Sequence, residues 1–171
     1  MAATGIVIPF EQAESAVSRW RRACTTDGAD GMPAHVTLIY PFADDSQLVA
    51  RQMKELEAVL STFSPFDVRF ATFGRFDGAP SVLYLEPDPA QPFVGMIKAV
   101  AERFPEYPPF GGEFDTVVPH LTVAETADTE LLDDAQQDVA RHLPIVAHAS
   151  EVHVMEHRGA DGWCIRDRIA L

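Results

Sequence analysis

His35-Val36-Thr37-Leu38-Ile39-Tyr40-Pro41-Phe42 is the stretch on which the reading of this chain turns. It is rich in β-branched and aromatic residues and is stopped by Pro41, so it reads as a strand. Side chains alternate faces along a strand. His35 and Thr37 therefore share one face, and Val36, Leu38 and Tyr40 share the other. A half-buried strand needs apolar residues on its inner face; it does not need an imidazole and a hydroxyl side by side on the opposite one. The same word returns at His120-Leu121-Thr122-Val123-Ala124, 85 residues further on.

Outward from these two words the chain repeats itself. Upstream of the first, Thr4 to Phe10 reads as a short buried strand ended by Pro9. Glu11 to Cys24 reads as a helix with Ala13, Ala16, Val17 and Trp20 inward, followed by a Gly/Asp loop from Asp27 to Gly31. Asp44, Asp45 or Ser46 caps the next helix, which runs to about Thr62 with Leu48, Met53, Leu56, Val59 and Leu60 inward. Asp67 to Phe76 and Ser81 to Glu86 flank the turn Asp77-Gly78-Ala79-Pro80 as a hairpin. Gln91 to Phe104 is a third helix. After the second word come a helix from Glu130 to His142 and a hairpin, Ile145 to His157 and Trp163 to Ala170, about Gly159 to Gly162. Residues 35–86 and 120–170 thus both run strand, helix, hairpin. The expectation is one α+β domain over residues 1–171, bilobal and pseudo-twofold, with duplicated strand-helix-hairpin units and two mixed or antiparallel sheets around a central groove.

Composition bounds the partners. The chain has 171 residues, with 13 Lys and Arg against 26 Asp and Glu, a formal net charge of −13. Proteins that grip long nucleic acid do so with many cations on phosphates, so a long polyanion is disfavoured, as is an anionic membrane surface. One small phosphate held by local donors is not. Cys24 and Cys164 form no metal spacing, no stretch reaches the roughly 18 apolar residues of a membrane span, and the first residues lack a basic leader. A cytoplasmic location is expected, with no protein partner indicated.

Two His-x-Thr strands facing one groove suit phosphodiester chemistry. A neutral imidazole removes a proton from the attacking oxygen while a protonated one donates to the leaving oxygen; histidine's ordinary pKa, about 6.5, makes both forms accessible. The threonine hydroxyls would donate to the non-bridging oxygens as their charge grows. The plain alternative is that both histidines only bond backbone groups at strand starts; their registry with Thr37 and Thr122 favours the chemical reading.

His35-Val36-Thr37-Leu38 and His120-Leu121-Thr122-Val123 resemble the two His-x-Ser/Thr-x signatures of the two-histidine (2H) phosphoesterase superfamily, and the first run is similar to that of its bacterial 2′-5′ RNA ligase-like branch. The resemblance extends over most of the chain in length and motif spacing. It implies a bilobal fold and metal-independent, cofactor-free opening of 2′,3′-cyclic or related cyclic nucleotide or RNA-end phosphates, with reversible 2′-5′ bond formation in some members. It gives His35 and His120 the acid and base roles, in an order the sequence leaves open, and Thr37 and Thr122 the phosphate. A groove that binds a nucleotide or RNA end without turning it over is the alternative, and an unrelated metal-dependent phosphoryl enzyme a third.

Further candidates are Tyr107 and Phe110, in the stiff Pro/Gly loop, for base stacking, and Arg75 and Arg158, at matching hairpin positions, for phosphate charge. Strand alternation assigns Tyr40 and Phe42 to core packing. His153 and His157 are four apart on one strand face, but His148 falls on the other, so no metal site is expected; with His142 they read as surface or edge residues. Asp133, Asp134 and Asp138 read as a solvated helix face.

Overall fold

The computed structural model describes residues 4–44, 46–48, 50–113 and 116–171. The strands are β1 (Thr4–Pro9), β2 (His35–Ile39), β3 (Phe66–Phe76), β4 (Ser81–Asp88), β5 (Leu121–Thr126), β6 (Ile145–Ala149), β7 (Glu151–His157) and β8 (Trp163–Ala170). The helices are α1 (Glu11–Cys24), the single turn α2 (Thr26–Ala29), α3 (Ala50–Leu60), α4 (Gln91–Arg103) and α5 (Thr129–Ala140). They form two four-stranded sheets, ordered β2-β1-β7-β8 and β5-β4-β3-β6. Every neighbouring pair is antiparallel, which resolves the mixed-or-antiparallel expectation.

Each sheet has one face under helices. α3 and α4 cover the first, through contacts with β8 and β2, while α1 and α5 cover the second, against β5, β6 and β4. The helical faces are those of the apolar periodicity: Ala13, Val17 and Trp20 on α1, Leu56 and Leu60 on α3, Leu132, Ala135 and Val139 on α5. Asp128 starts α5 by accepting the backbone N–H of Glu130 and Leu131, satisfying two donors that the first turn leaves open. Phe10, leaving the first sheet, sets its ring edge-on against Phe70 of the second at 5.2 Å and near Phe93 of α4 at 6.1 Å. The two sheets therefore share one core.

Three features depart furthest from the sequence reading. Helix α3 starts only at Ala50, because a backbone turn, Asp44 C=O accepting from Gln47 and Leu48 N–H, occupies the preceding residues; of the proposed caps, Asp45 lies outside the described residues. Ile145 to His157 is two strands, not one. Burial alternates in β6, on Ile145, Ala147 and Ala149, but covers four consecutive residues of β7, Val152 to Met155. At Ser150 the chain crosses from β3 of one sheet to β1 and β8 of the other. Finally, the repeats 35–86 and 120–170 do not map one to each sheet. The first motif strand, β2, lies with the β7–β8 hairpin of the second repeat, and β5 lies with the β3–β4 hairpin of the first.

Candidate functional site

The uncovered faces of the two sheets meet in an open groove of about 1380 Å³. That exceeds the ~300–1,000 Å³ common for small-ligand pockets. His35 and Thr37 line it from β2, and His120 and Thr122 from the start of β5. The structure thus brings the two words into one cavity from opposite sheets.

Both imidazoles are fixed by the same device. His35 Nδ1 lies 2.7 Å from the Pro33 carbonyl, and His120 Nδ1 lies 2.7 Å from the Val118 carbonyl, each two residues upstream. A carbonyl only accepts, so Nδ1 carries the hydrogen in both rings and Nε2 is the nitrogen left for chemistry. At His35, Nε2 accepts from the Thr37 hydroxyl at 3.1 Å. The backbone-bonding role and the groove-facing role therefore coexist, one on each nitrogen. His120 is held on a ring of aromatics: Phe76 edge-on at 5.0 Å, Tyr84 at 5.4 Å and Phe110 nearly parallel at 6.1 Å.

A bulge follows each motif threonine. Thr37 pairs with Val7 and Ile39 with Ile6, leaving Leu38 as the extra residue; Thr122 pairs with Tyr84 and Ala124 with Leu83, leaving Val123 extra. An extra residue shifts the alternation by one. Ile39 and Ala124 accordingly turn into the core, while Tyr40 and Glu125 turn into the groove. This corrects the assignment of Tyr40 to the core: it is 39% exposed and meets Trp163 edge-on at 5.8 Å. Phe42, by contrast, is buried.

The buried partner that sequence reasoning missed is Arg21 of α1, only 1% exposed. Its guanidinium donates to the Thr122 carbonyl at 2.8 Å and to Asp27 Oδ2 at 2.9 Å, so it touches the second motif strand and α2 at once. Asp27 Oδ2 stands 3.9 Å from His35 Nε2. A sign of this was legible: Arg21 falls four residues after Val17, on the apolar stripe of α1, where a cation has no place unless it has a partner.

These neighbours set the charges. Burial, and next the Arg21 cation, push the His35 pKa down to about 4; Asp27, opposed in part, and the Pro33 carbonyl act in the other direction, and His120 adds repulsion. Burial also lowers His120, against the Val118 hydrogen bond. For Asp27, burial favours the neutral acid, but Arg21, His35 and the Thr25 hydroxyl together hold its carboxyl below the usual range.

The remaining candidates separate. Phe110 lines the groove, with φ of 51° in its turn, a conformation unusual for a bulky residue. Tyr107 is placed elsewhere, half-buried against Phe42 at 4.9 Å. Arg75 and Arg158 both line the groove; Arg75 donates to Asp133 at 2.6 Å and Gln136 at 2.9 Å, and Arg158 to Glu156 at 3.0 Å. Asp133 and Asp138 are thus more than a solvated face, since Asp138 also accepts the Trp20 indole N–H at 2.7 Å. His142 and His148 are exposed, but His153 is buried beside Glu151 and His157 lines the groove against Trp163. Among the described residues, no group of three or more His, Cys, Asp and Glu is placed to hold a metal ion. No helix of the described residues is long and apolar enough to cross a membrane.

Comparison with known proteins bears on the whole chain. Residues 9–161 match the 2′-5′ RNA ligase superfamily. The chain belongs to that superfamily. A protein of Bacillus pumilus named "Putative phosphoesterase" is 27% identical over 145 residues, covering 82% of this chain and 80% of that one. A Geobacillus kaustophilus protein of the same description is 29% identical over 93 residues, spanning 54% of this chain and 51% of its own length. In fold, the superfamily member here is similar to E. coli LigT, whose crystal structure is a complex with 3′-AMP: the TM-score is 0.62 at 14% identity, over 99% of this chain and 98% of LigT.

Proposed function

We propose that the chain is a phosphoesterase that opens 2′,3′-cyclic, or related cyclic, nucleotide or RNA-end phosphates by paired-histidine acid–base catalysis. The observation that carries this reading is the matched pair of imidazoles, each anchored through Nδ1 on the carbonyl two residues upstream and each followed by a groove-lining threonine. Superfamily membership and the 3′-AMP bound by LigT support a nucleotide in the groove.

His35 takes the base role and His120 the acid role. Burial and Arg21 hold His35 neutral, and once the Thr37 hydroxyl turns from Nε2 to the phosphate, that lone pair is available to remove a proton from water. The water oxygen forms a bond to phosphorus as the bond to the ribose 2′ or 3′ oxygen breaks, and His120 Nε2–H gives its proton to that departing oxygen. The Thr37 and Thr122 hydroxyls donate to the non-bridging oxygens. With a ribose 5′-hydroxyl as nucleophile in place of water and the 3′ oxygen as the one that leaves, the same pair would form a 2′-5′ bond.

The test is turnover of 2′,3′-cyclic mononucleotides and 2′-5′-linked oligonucleotides in EDTA by wild type, His35→Ala and His120→Ala. Product from wild type and a loss of at least about 10²-fold in each variant is expected, the lower end of what one positioned acid or base contributes. Nucleotide binding by the wild type with no product would overturn catalysis in favour of a binding groove.

A further inference from the structure

The groove walls carry carboxylates where a polyphosphate site would carry cations. Asp27 comes from α2 and Asp30 from the residue after it, Asp77 from the β3–β4 turn and Glu125 from β5. Against these four stand two arginines, both already engaged, Arg75 by Asp133 and Arg158 by Glu156. Asp27 is held by Arg21 and Asp30 faces His157 Nε2 at 3.2 Å, which leaves Asp77 and Glu125 as the charges a second phosphate would meet. The chain's two lysines, Lys54 and Lys98, lie on α3 and α4, helices that contribute no lining residue among those described. The pseudo-twofold sharpens the point: the bulge that turns Tyr40 into the groove on one wall turns Glu125 into it on the other. A neutral ring and a carboxylate occupy matched positions flanking the histidines.

We infer that the groove discriminates against nucleotides bearing a second, doubly charged phosphate monoester beyond the phosphate between His35 and His120, a charge that the diester links of an RNA end do not carry. This rests on the reading of the groove as a nucleotide site. One phosphate has donors in the two threonine hydroxyls and in Nε2–H of protonated His120. A second, several ångströms along either wall, would meet Asp77 or Glu125, and charges of like sign across a partly desolvated groove repel more strongly than in bulk water. Discrimination by a repulsive element needs no additional contact to the favoured ligand.

Equilibrium binding tests this without requiring turnover. Adenosine 2′-monophosphate and adenosine 2′,5′-bisphosphate are titrated into the full chain by calorimetry at about 0.01 M and about 1 M salt, where the screening length falls from about 30 Å to about 3 Å. The monophosphate should bind at least about tenfold more tightly at low salt. The gap should close at high salt, and at low salt in the double variant Asp77→Asn, Glu125→Gln, whose substitutions lie on exposed positions. Equal or tighter binding of the bisphosphate, a gap that neither salt nor the double variant changes, or no binding of either ligand would overturn the inference. Absence of turnover with the binding preference intact would count against the catalytic reading alone.

Discussion

Arg21 is the residue on which both halves of the site converge, because one guanidinium holds the Thr122 carbonyl and the Asp27 carboxylate. Replacing it with Met leaves the Thr122 carbonyl and a carboxylate 35% exposed without their cation, at a cost of about 1–3 kcal/mol once solvent screening is allowed for. Urea unfolding of Arg21→Met should show a loss of that size, with Asp27→Asn costing more because it strands the Arg21 cation, whose side chain is 2% exposed. An NMR titration should place the His35 pKa of Arg21→Met higher than that of wild type, since the cation that disfavours the imidazolium is gone and Asp27 remains. His35 also links stability to pH. Its folded pKa, about 4, lies below the ordinary value of 6.5, so the unfolded chain binds the extra proton between them. Its contribution is fully present above about pH 6.5 and is lost as the pH falls towards 4, to a total of about 3 kcal/mol. His35→Gln should flatten stability against pH across that window; an unchanged slope would show that other groups carry it. The kcat/KM profile of the wild type should have its acid limb near pH 4, from the base, and its alkaline limb below 6.5, from the acid.

At the level of elements, the bulges do the aiming, and a glycine makes room for the ring beneath the second motif. Gly74 of β3 faces Tyr84 of β4, where an added Cβ would fall 2.3–2.5 Å from the phenol ring and its oxygen. Tyr84 packs beside His120 and pairs with Thr122, so Gly74→Ala must displace the floor of the second motif. A loss of about 1–3 kcal/mol is expected from the overpacking, with a fall in turnover of cyclic nucleotide at temperatures where the variant is still folded. Wild-type turnover in the folded variant would show that Tyr84 does not position His120. Elements also mark where the sequence was readable. The two His-x-Thr strands, the α1 and α5 faces and the β3–β4 hairpin announce themselves through local periodicity, which needs nothing beyond neighbouring residues. A bulge does not: Leu38 looks like any strand residue, and only the pairing of Ile39 with Ile6 reveals that Tyr40 has changed sides. The division at Ser150 was readable in principle, as a switch of apolar parity between Ala149 and Val152, but apolar Val146, 68% exposed, blurs the alternation.

For the whole molecule, the exchange of hairpins between motif strands decides how it unfolds. Neither repeat holds a complete sheet: residues 35–86 supply one strand of the first sheet and two of the second, and residues 120–170 supply the complementary mixture except for β1. Sequence repetition could reveal two like units, but which strand pairs with which hairpin depends on contacts far apart in the chain. Two lobes that were each made of one repeat could melt separately; lobes built from both repeats, and stitched by Phe10 and Arg21 across the core, have no such route. The two tryptophans make this measurable, since Trp20 reports on α1, which covers the second sheet, and Trp163 on β8 of the first. Trp163→Phe and Trp20→Phe each leave one reporter. Each variant's fluorescence should follow its own far-ultraviolet circular dichroism through one cooperative urea transition, as expected where one core joins both sheets. Fluorescence of either reporter that moves ahead of the dichroism would mean that one sheet survives the loss of the other. Phe10→Ala should lower both midpoints together, with a stability loss of about 3–5 kcal/mol, because the ring it removes belongs to neither lobe alone.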